Sequence, residues 1–453
     1  MKHYHFIAIG GAVMHNMAIA LHKKGYKVTG SDDEIFEPSR SRLMKHGLLP
    51  PYTGWNPDII TGNTDAIILG MHAHKDNPEL KKAIDLGIKI FSFPEFLYNQ
   101  SKNKKRIVIG GSHGKTTTTG MIMHVLKKLD FEMDYMVGSQ LDGFEDMVKL
   151  SDAPIAVFEG DEYLSSRLDP KPKFLHYKPH IAVITGIAWD HINVFPTFEE
   201  YVYQFKLFSE SIEKGGCVIY NQEDEELNKI IKTLKNDIEK IAYNVPEYYN
   251  ENGNTYIKYK SNNYKLSVFG KHNLQNIAAA GQVCTQLGIG LHVFYEAISS
   301  FKGAGKRLQL IAENNHTSVF LDFAHSPSKL KATTSAVKSR FPKRKLIACM
   351  ELHTYSSLKK EFLPQYRDTM KDADVAFVYF NPDTIKHKRL EEINPDQVAI
   401  AFATPNIKVF TDKNKLVAEL KNQNWENATL LLMSSGNFSG IDIRELANFI
   451  IND

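Results

Sequence analysis

The sequence predicts an α/β protein of three domains. We expect a Rossmann-like domain at 1–103, a central P-loop ATPase-type sheet with a small antiparallel annex at 104–304, and a C-terminal Rossmann-like domain at 305–453. The first reason is length, because 453 residues exceed the usual size of a single domain. The second is the alternation of short apolar runs with helical patterns, which is typical of parallel sheets. The third is the presence of glycine-rich turns at predicted strand ends.

The strongest functional signal lies near the start of the central domain. Residues 107–120 read Ile-Val-Ile-Gly-Gly-Ser-His-Gly-Lys-Thr-Thr-Thr-Thr-Gly, which predicts a strand, a glycine loop and a helix. Backbone N–H groups of such a loop bind phosphates. We expect Lys115 to reach the β- and γ-phosphates and the Thr116 hydroxyl to ligate Mg²⁺. Ile109 stands where the general phosphate-loop pattern has its first glycine, so a ligand-free glycine turn is the alternative.

The first domain begins with a βαβ pattern. A strand at 4–9 leads through Gly10 and Gly11 into a helix, and a second strand at 26–29 is followed by Asp32. This is the general plan of a nucleotide-binding Rossmann half. The dinucleotide pattern G-x-G-x-x-G is absent, which disfavours an NAD enzyme. A different diphosphate, such as a UDP-linked sugar, or no ligand at all, remains open.

Two histidines follow the next strand of this domain, at 66–69. His72 and His74 lie at its C-terminal end, where α/β proteins bind their ligands. They could contact phosphate or sugar, or serve in packing and solvent contacts. The charged run 102–106 predicts a linker to the central domain.

Acidic and basic residues follow the phosphate loop in the central domain. The strand at 154–158 runs into Glu159, and an acid in this position beside a phosphate loop is a typical Mg²⁺ ligand. An ordinary charged loop residue is the alternative. His191 could ligate a metal or orient a phosphate, or be structural. The helical pattern at 198–212 carries Lys206, which is either a snorkelling surface residue or a functional one.

The central domain ends with an antiparallel annex and a helix. Alternation over 254–269 predicts two strands with a turn at 261–263, and a helix follows. Asn273 and Asn276 can each offer a paired donor and acceptor to an adenine edge. The alternative is that these two asparagines cap the helix.

The third domain repeats the alternation of strand and helix. Arg307 lies where it meets the second domain, and could close onto a phosphate or form an interdomain salt bridge. The predicted strands are 319–322, 346–349, 375–379, 407–410 and 428–433.

Composition narrows the choice of partners. A net charge of +3 implies no polyanion-binding surface, so nucleic acid is not expected. The three cysteines are widely spaced and form no metal-binding pattern, which fits a reducing cytoplasm. No signal peptide and no apolar run of membrane-spanning length are visible, so we expect a cytoplasmic protein without a membrane partner. We expect a monomer or weak dimer acting on small molecules.

These features together resemble the ATP-dependent Mur ligases of peptidoglycan synthesis. Their order and spacing cover nearly the whole chain and are more specific than any one of them. The matching stretches are Gly111–Thr118, Glu159-Gly-Asp-Glu162, Asp190-His191, Gly270-Lys-His-Asn273 with Asn276, Arg307, and Asp322-Phe-Ala-His325.

Within the family the chain looks most like the murein peptide ligases, which join a recycled tripeptide to UDP-N-acetylmuramate. The ligases that add L-alanine to the same sugar are the alternative. The chain departs from its relatives at Val13, His15 and Asn16, and again at Asn437 and Ser439. The pointers to the murein peptide ligases are the stretches 37–43, 174–179, 190–196 and 433–441.

The resemblance implies a division of labour between the domains. Domain one would bind the UDP-sugar, domain two ATP with Mg²⁺, and domain three the incoming amine. Metal ligation would fall to Thr116, Glu159 and His191, and the catalytic set would be Lys115, Glu159 and His191 with Lys206 as a candidate carbamylated lysine. The implied ATP-binding residues are Gly111, Ser112, His113, Gly114, Lys115, Thr116, Thr117, Asn273, Asn276, Arg307, Asp322 and His325. The implied UDP-sugar-binding residues are Gly11, Met14, Ser31, Asp32, His72 and His74.

Three other classes compete with this interpretation. Folylpolyglutamate synthases form similar bonds but lack the first domain. A non-catalytic sensor of UDP-sugars would not need the full set of phosphate and metal residues. An NAD oxidoreductase would need the absent glycine pattern.

Overall fold

Strands and helices alternate along almost the whole chain, as the apolar runs predict. The computed structural model describes residues 1–71, 73–166, 168–192, 194–251, 253–305 and 307–452. These form two compact units, the first of 1–187, 197–244 and 278–297 and the second of 188–196, 245–277 and 298–452. Among the described residues, no helix combines the length and apolar character needed to cross a membrane.

The first unit begins with a four-stranded parallel sheet. Its strands are β1 (His3–Ile7), β2 (Lys27–Ser31), β3 (Ala66–Leu69) and β4 (Lys89–Ser92), and its helices are α1 (Ala12–Lys23), α2 (Ser39–Lys45), α3 (Pro78–Asp85) and α4 (Phe93–Ser101). The strand order is β2-β1-β3-β4. The βαβ start is therefore confirmed. Pro78 opens α3, where its missing N–H costs no helical hydrogen bond.

The first unit also contains a seven-stranded sheet. Its strands are β5 (Lys105–Gly110), β6 (Met133–Met136), β7 (Val148–Lys149), β8 (Ile155–Glu159), β9 (Ile181–Ile184), β10 (Cys217–Asn221) and β11 (Glu239–Tyr243), with helices α5 (Lys115–Lys128), α6 (Phe198–Glu210) and α7 (Glu225–Thr233). The order is β11-β10-β9-β5-β8-β6-β7, and only the edge strand β7 pairs antiparallel. The central position of β5 puts its C-terminal end between β8 and β9.

The start of β5 corrects one expectation. Residues 102–106 were expected to be a linker, but β5 begins at Lys105, and the side chain of Arg106 is only 2% exposed. Backbone carbonyls accept hydrogen bonds from its guanidinium, which allows a cation to occupy a buried strand position.

The antiparallel annex is larger than the alternation predicts. Its strands are β12 (Tyr248–Glu251), β13 (Asn254–Tyr259) and β14 (Asn262–Leu266), followed in the chain by α8 (Lys271–Gln286) and α9 (Leu291–Ile298). The three strands form a sheet of their own. The expected turn at 261–263 is wrong by one residue, because Lys260 takes the left-handed conformation with φ of 53° and Asn262 already belongs to β14.

The second unit also contains a six-stranded sheet. Its strands are β15 (Gln309–Glu313), β16 (Ser318–Asp322), β17 (Lys345–Leu352), β18 (Val375–Phe380), β19 (Lys408–Phe410) and β20 (Ala428–Met433), with helices α10 (Pro327–Arg340), α11 (Pro382–His387), α12 (Pro395–Phe402), α13 (Lys413–Lys421) and α14 (Ile443–Asn452). The order is β15-β16-β20-β17-β18-β19, and β15 is antiparallel. Alternate residues of β17 enter two separate apolar clusters, so both faces of the sheet are covered.

The predicted fold class is thereby confirmed as a three-domain α/β fold with parallel sheets and a small antiparallel sheet. The boundaries proposed at 103/104 and 304/305 stay a prediction.

Candidate active site

The glycine loop connects the middle strand of the seven-stranded sheet to α5. Gly111 has φ of 132° and Gly114 has φ of 82°, a region that side-chain-bearing residues rarely adopt. A Cβ on Gly111 would lie 2.1 Å from Thr185 Oγ1. Both glycines are therefore required by the backbone path, which brings the loop close to the end of β9 and turns it into the helix N-terminus.

Lys115 opens α5 and points back over this loop. Its Nζ lies 2.6 Å from the carbonyl oxygen of Gly111 and 2.6 Å from Oε2 of Glu162. Burial of the ammonium disfavours its charge, but the carboxylates of Glu162, Asp161 and Glu159 outweigh that cost, so the pKa of Lys115 is raised. Lys115 is therefore a fixed cation at the mouth of the loop.

Glu162 was not among the predicted site residues. Its side chain is completely buried, and Oε1 accepts a 2.9 Å hydrogen bond from the hydroxyl of Tyr201. Tyr201 also lies 2.8 Å from Oγ of Ser112 in the loop. The sequence offered one clue, namely that Asp161 and Glu162 follow Glu159 closely, but spacing in a loop does not reveal which acid faces the lysine.

Thr116 and Glu159 lie together, as the sequence predicts. Parallel pairing sets Glu159, the last residue of β8, opposite Ile109 of β5. Thr116 Oγ1 donates a 2.9 Å hydrogen bond to Glu159 Oε1, and the N–H of Gly138 donates to Oε2 at 2.7 Å. A hydroxyl and a carboxylate are the hard oxygen donors that Mg²⁺ prefers. The donor set therefore fits this ion.

The remaining loop residues form the frame of the site. The carbonyl oxygen of His113 accepts a hydrogen bond from the hydroxyl of Thr185. Thr117 is buried in the first turn of α5. Lys206, on α6, has a side chain that is 43% exposed and lies 4.0 Å from Glu210 Oε1. This environment is that of a surface ion pair, and its carbamylation stays a prediction.

The second unit holds another group of predicted residues around Asp190. Lys329 Nζ lies 3.6 Å from Asp190 Oδ2, and the N–H of His191 donates to Asp190 Oδ1 at 2.8 Å. Burial opposes ionisation of Asp190, but Lys329 and the neighbouring histidines lower its pKa. Burial, with Lys329 and Arg307 nearby, lowers the pKa of His325 to about 3. His325 is therefore neutral near pH 7.

Asp322 organises the segment that follows β16. Its Oδ2 accepts a 2.6 Å hydrogen bond from the N–H of Leu308, and Oδ1 accepts one of 2.8 Å from the N–H of Ala324. These bonds tie the start of the third domain to the strand end. The guanidinium of Arg307 lies 4.4 Å from the centre of the Phe323 ring, which fixes it by a cation–π contact.

The two asparagines lie at the start of α8. Asn273 donates from Nδ2 to the carbonyl oxygen of Phe269 at 2.8 Å, and Asn276 is buried. Asn273 and Arg307 line a cavity of about 120 Å³. These two predicted ATP-binding residues are therefore brought together within the second unit.

A cavity of about 420 Å³ lies at the C-terminal edge of the first sheet. Asp32 and His74 line it, while His72 lies outside the described residues. The N–H of Gly10 donates to Asp32 Oδ2 at 2.7 Å. Burial raises the pKa of Asp32 to about 6, although the Gly10 bond opposes the shift.

Three further predicted residues border the same strand edge. Gly11 is the residue immediately before α1, and Met14 in the first turn is 4% exposed. Ser31 ends β2 and is fully buried. The predicted UDP-sugar residues that the structure describes therefore gather around the C-terminal ends of β1, β2 and β3.

Comparison with known proteins decides the family. Three family models match the chain in order: the Mur ligase family catalytic domain at 3–105, the Mur ligase middle domain at 109–284, and the Mur ligase glutamate ligase domain at 306–436. The UDP-N-acetylmuramate–L-alanine ligase of Caldicellulosiruptor bescii is 31% identical over 391 residues, which cover 83% of this chain and 83% of that protein. The chain belongs to the Mur ligase family.

Solved structures share the fold of this Mur ligase. A murein peptide ligase from Psychrobacter arcticus matches with a TM-score of 0.68 and 21% identity, covering 100% of this chain and 99% of the other. The UDP-N-acetylmuramate–alanine ligase of Thermotoga maritima matches with a TM-score of 0.71 and 22% identity, with the same coverage. Mur ligases form amide bonds at the expense of ATP, so this protein is an ATP-dependent ligase of peptidoglycan biosynthesis.

Proposed function

We propose that this Mur ligase joins the tripeptide L-alanyl-γ-D-glutamyl-meso-diaminopimelate to UDP-N-acetylmuramate in peptidoglycan recycling. One observation carries the ATP-dependent step. Lys115 is a protonated, fixed cation above the glycine loop, and Thr116 with Glu159 supplies oxygen ligands 2.9 Å apart beside it. This arrangement suits a nucleotide triphosphate whose terminal phosphate is transferred.

The reaction has two steps. A carboxylate oxygen of the muramyl group attacks the γ-phosphorus of ATP, the bond to the bridging oxygen breaks, and ADP leaves behind an acyl phosphate. The amine then attacks the acyl carbon, loses a proton and expels inorganic phosphate. Lys115 and the loop amides hold the phosphate oxygens throughout, which stabilises the charge that develops on them.

We propose Thr116 and Glu159 as ligands of a Mg²⁺ ion and His191 as a ligand of a second. When bound, such ions neutralise the repulsion between the carboxylate and the γ-phosphate. Glu159 is held by the N–H of Gly138 as well as by Thr116, so its carboxylate keeps one orientation. That fixed orientation favours metal binding, because little side-chain entropy remains to be lost.

The second unit supplies candidates for the nucleoside. We propose that Asn273 and Asn276 face adenine and that Asp322, His325 and Arg307 contact ribose or phosphate. A neutral His325 can both donate and accept a hydrogen bond, as a ribose hydroxyl requires. The cation–π contact of Arg307 with Phe323 presets its guanidinium for an anion.

The cavity of the first sheet is our proposed UDP-sugar site. The described residues that line it include three acids, Asp32, Asp33 and Asp76, and no lysine or arginine. Such a lining suits hydroxyl groups and base N–H donors better than a diphosphate. We therefore place the diphosphate at the turn of Gly10 and Gly11, where the N-terminus of α1 offers backbone donors.

The choice of tripeptide as acceptor rests on sequence stretches that follow the murein peptide ligases. The clearest are 174–179 and 433–441. The latter is the loop after β20, and it surrounds Glu351: the hydroxyl of Ser434 and the N–H of Phe438 both donate to Glu351 Oε2. L-alanine is the second candidate acceptor, favoured by the 31% identity to an enzyme named for that substrate.

One assay separates the two acceptors. Phosphate release from ATP is measured with UDP-N-acetylmuramate plus either L-alanine or the tripeptide. Release with tripeptide alone supports the proposal, whereas release with L-alanine alone replaces it by the second candidate. Release with neither would refute both and point to a different acceptor or to a sensor.

A Lys115→Ala variant tests the division of labour. We expect ATP turnover to be lost while UDP-N-acetylmuramate binding, followed by calorimetry, changes less than about twofold, since only the ATP-binding site is altered. If ATP turnover and UDP-N-acetylmuramate binding were both lost in a folded variant, the assignment of the two ligands to separate sites would be wrong.

A further inference from the structure

A second cluster of metal-ligating side chains lies in the first unit, away from the glycine loop. It consists of Glu95, Asp169 and His176. One ligand atom from each of the three side chains lies within 4.8 Å of the other two. Two ligands of a tetrahedral Zn²⁺ ion lie about 3.3 Å apart, so the three side chains need to approach one another by roughly 1.5 Å or less to bind one.

His176 is the central side chain of this cluster. Its side chain is 9% exposed, and Nε2 lies 2.9 Å from Asp169 Oδ2. That contact does not have hydrogen-bond geometry, and Nε2 has no hydrogen-bond partner among the described residues. A distance of 2.9 Å is slightly shorter than the separation of about 3.3 Å between two ligands of a tetrahedral Zn²⁺ ion, so these two atoms need to move apart only a little.

Glu95 is positioned to supply another oxygen. It is the third residue of α4, and its Oε2 accepts hydrogen bonds from the N–H and hydroxyl of Ser92 at 2.8 and 3.0 Å. The capping interaction fixes the carboxylate but uses only Oε2. No described residue donates to Oε1, which is left to a further ligand.

Asp169 is held in a similar way. The N–H of Lys171 donates to its Oδ1 at 3.2 Å, which leaves Oδ2 directed at His176. One imidazole nitrogen and two carboxylates, each carboxylate held by a backbone N–H, form a donor set typical of Zn²⁺ and related divalent transition metals.

We propose that Glu95, Asp169 and His176 bind a divalent transition metal, with Zn²⁺ as the best match. Glu95 belongs to the helix that follows the first sheet, whereas Asp169 and His176 belong to the segment between β8 and β9. The ion would therefore tie α4 to the segment that follows Glu159 and Glu162. The site is structural, and it is independent of the proposed acceptor.

Metal titration of the full-length protein tests this proposal. The protein is stripped with EDTA, dialysed into excess Mg²⁺ and titrated with Zn²⁺ by calorimetry, and Co²⁺ absorption reports the ligand set. We expect one equivalent of Zn²⁺, with affinity reduced at least about tenfold in both His176→Gln and Asp169→Asn. Circular dichroism establishes that each variant is folded. Asp169 is more exposed than His176, so Asp169→Asn tests the site even if His176→Gln fails to fold.

Two control variants make the result decisive. His292→Gln removes an exposed histidine that also lies near a carboxylate, with Nε2 3.5 Å from Glu296 Oε1. Glu159→Gln removes the carboxylate of the proposed Mg²⁺ site. Both control variants should still bind one equivalent of Zn²⁺ per chain. The proposal is overturned if the wild type binds none, if Glu159→Gln abolishes binding, or if neither cluster variant weakens it.

Discussion

Replacement of Arg106 by leucine should destabilise the first unit strongly. The guanidinium lies at the start of β5, the strand that leads into the glycine loop, and its side chain is 2% exposed. Nearly all its hydrogen bonds go to backbone carbonyls of two separate segments, 101–104 and 177–178, so the side chain joins them. The carbonyl acceptors are those of Tyr177, Lys178, Ser101, Lys102 and Lys104, at 2.9–3.3 Å, and Glu213 Oε1 accepts at 3.2 Å.

The magnitude follows from what leucine leaves behind. A hydrogen bond from a charged group contributes about 1.5–3 kcal/mol, but the contributions from a single side chain overlap and do not sum. Removal of one partner from a buried ionic network typically costs about 3–5 kcal/mol, and we expect a value in this range. Leucine fills most of the volume, so the loss comes from unsatisfied carbonyls. For domains of 150–250 residues, each kcal/mol lowers Tm by about 2–4 °C.

Thermal unfolding followed by circular dichroism measures the effect. Lys105→Ala is the matched control, because it removes an exposed cation from the neighbouring strand position, where Nζ makes one long 3.3 Å bond to a carbonyl. We expect this control to lie within about 0.5 kcal/mol of the wild type. The reasoning fails if Arg106→Leu unfolds at the same temperature as Lys105→Ala.

Three further predictions concern the active site. Glu162→Gln should weaken ATP turnover at least about tenfold, because Lys115 loses its charged partner; unchanged kcat/KM would contradict this. Lys206→Ala should lose activity, because alanine cannot carry a carbamate, and full activity would exclude carbamylation. UDP-N-acetylmuramate affinity should fall as pH drops below about 6, since the raised pKa of Asp32 leaves its carboxylate ionised only above that value; calorimetry on Asp32→Asn should give a flat profile.

The sequence predicts the centre of each sheet better than its edges. The buried strands β3 and β20 were located to the residue, because a continuous apolar run is a strong signal. The exposed edge strand β12 was missed, since its residues Tyr248–Glu251 show no buried face. The antiparallel strand β15 was not predicted for the same reason.

The residues of the candidate site also differ in how well the sequence predicts them. Thr116 and Glu159 could be paired from the sequence, because parallel strand ends meet at one edge of a sheet. The roles of Glu162 and Arg106 could not be predicted. The partners of both include residues 39–107 positions away in the chain, and no local pattern encodes such contacts.

The acids around Lys115 bear on the order in which the nucleotide and metal bind. Glu162 pairs with Lys115 at 2.6 Å, and Glu159, which accepts a hydrogen bond from the adjacent Thr116, adds a second carboxylate. A bare triphosphate would meet the buried carboxylate of Glu162, the half-buried carboxylate of Glu159 and a cation that is already paired. A Mg²⁺ ion held by Thr116 and Glu159, as we propose, would offset one of these negative charges. Under that proposal the electrostatics favour entry of ATP together with Mg²⁺, with Lys115 shared between Glu162 and the arriving phosphate rather than released to it.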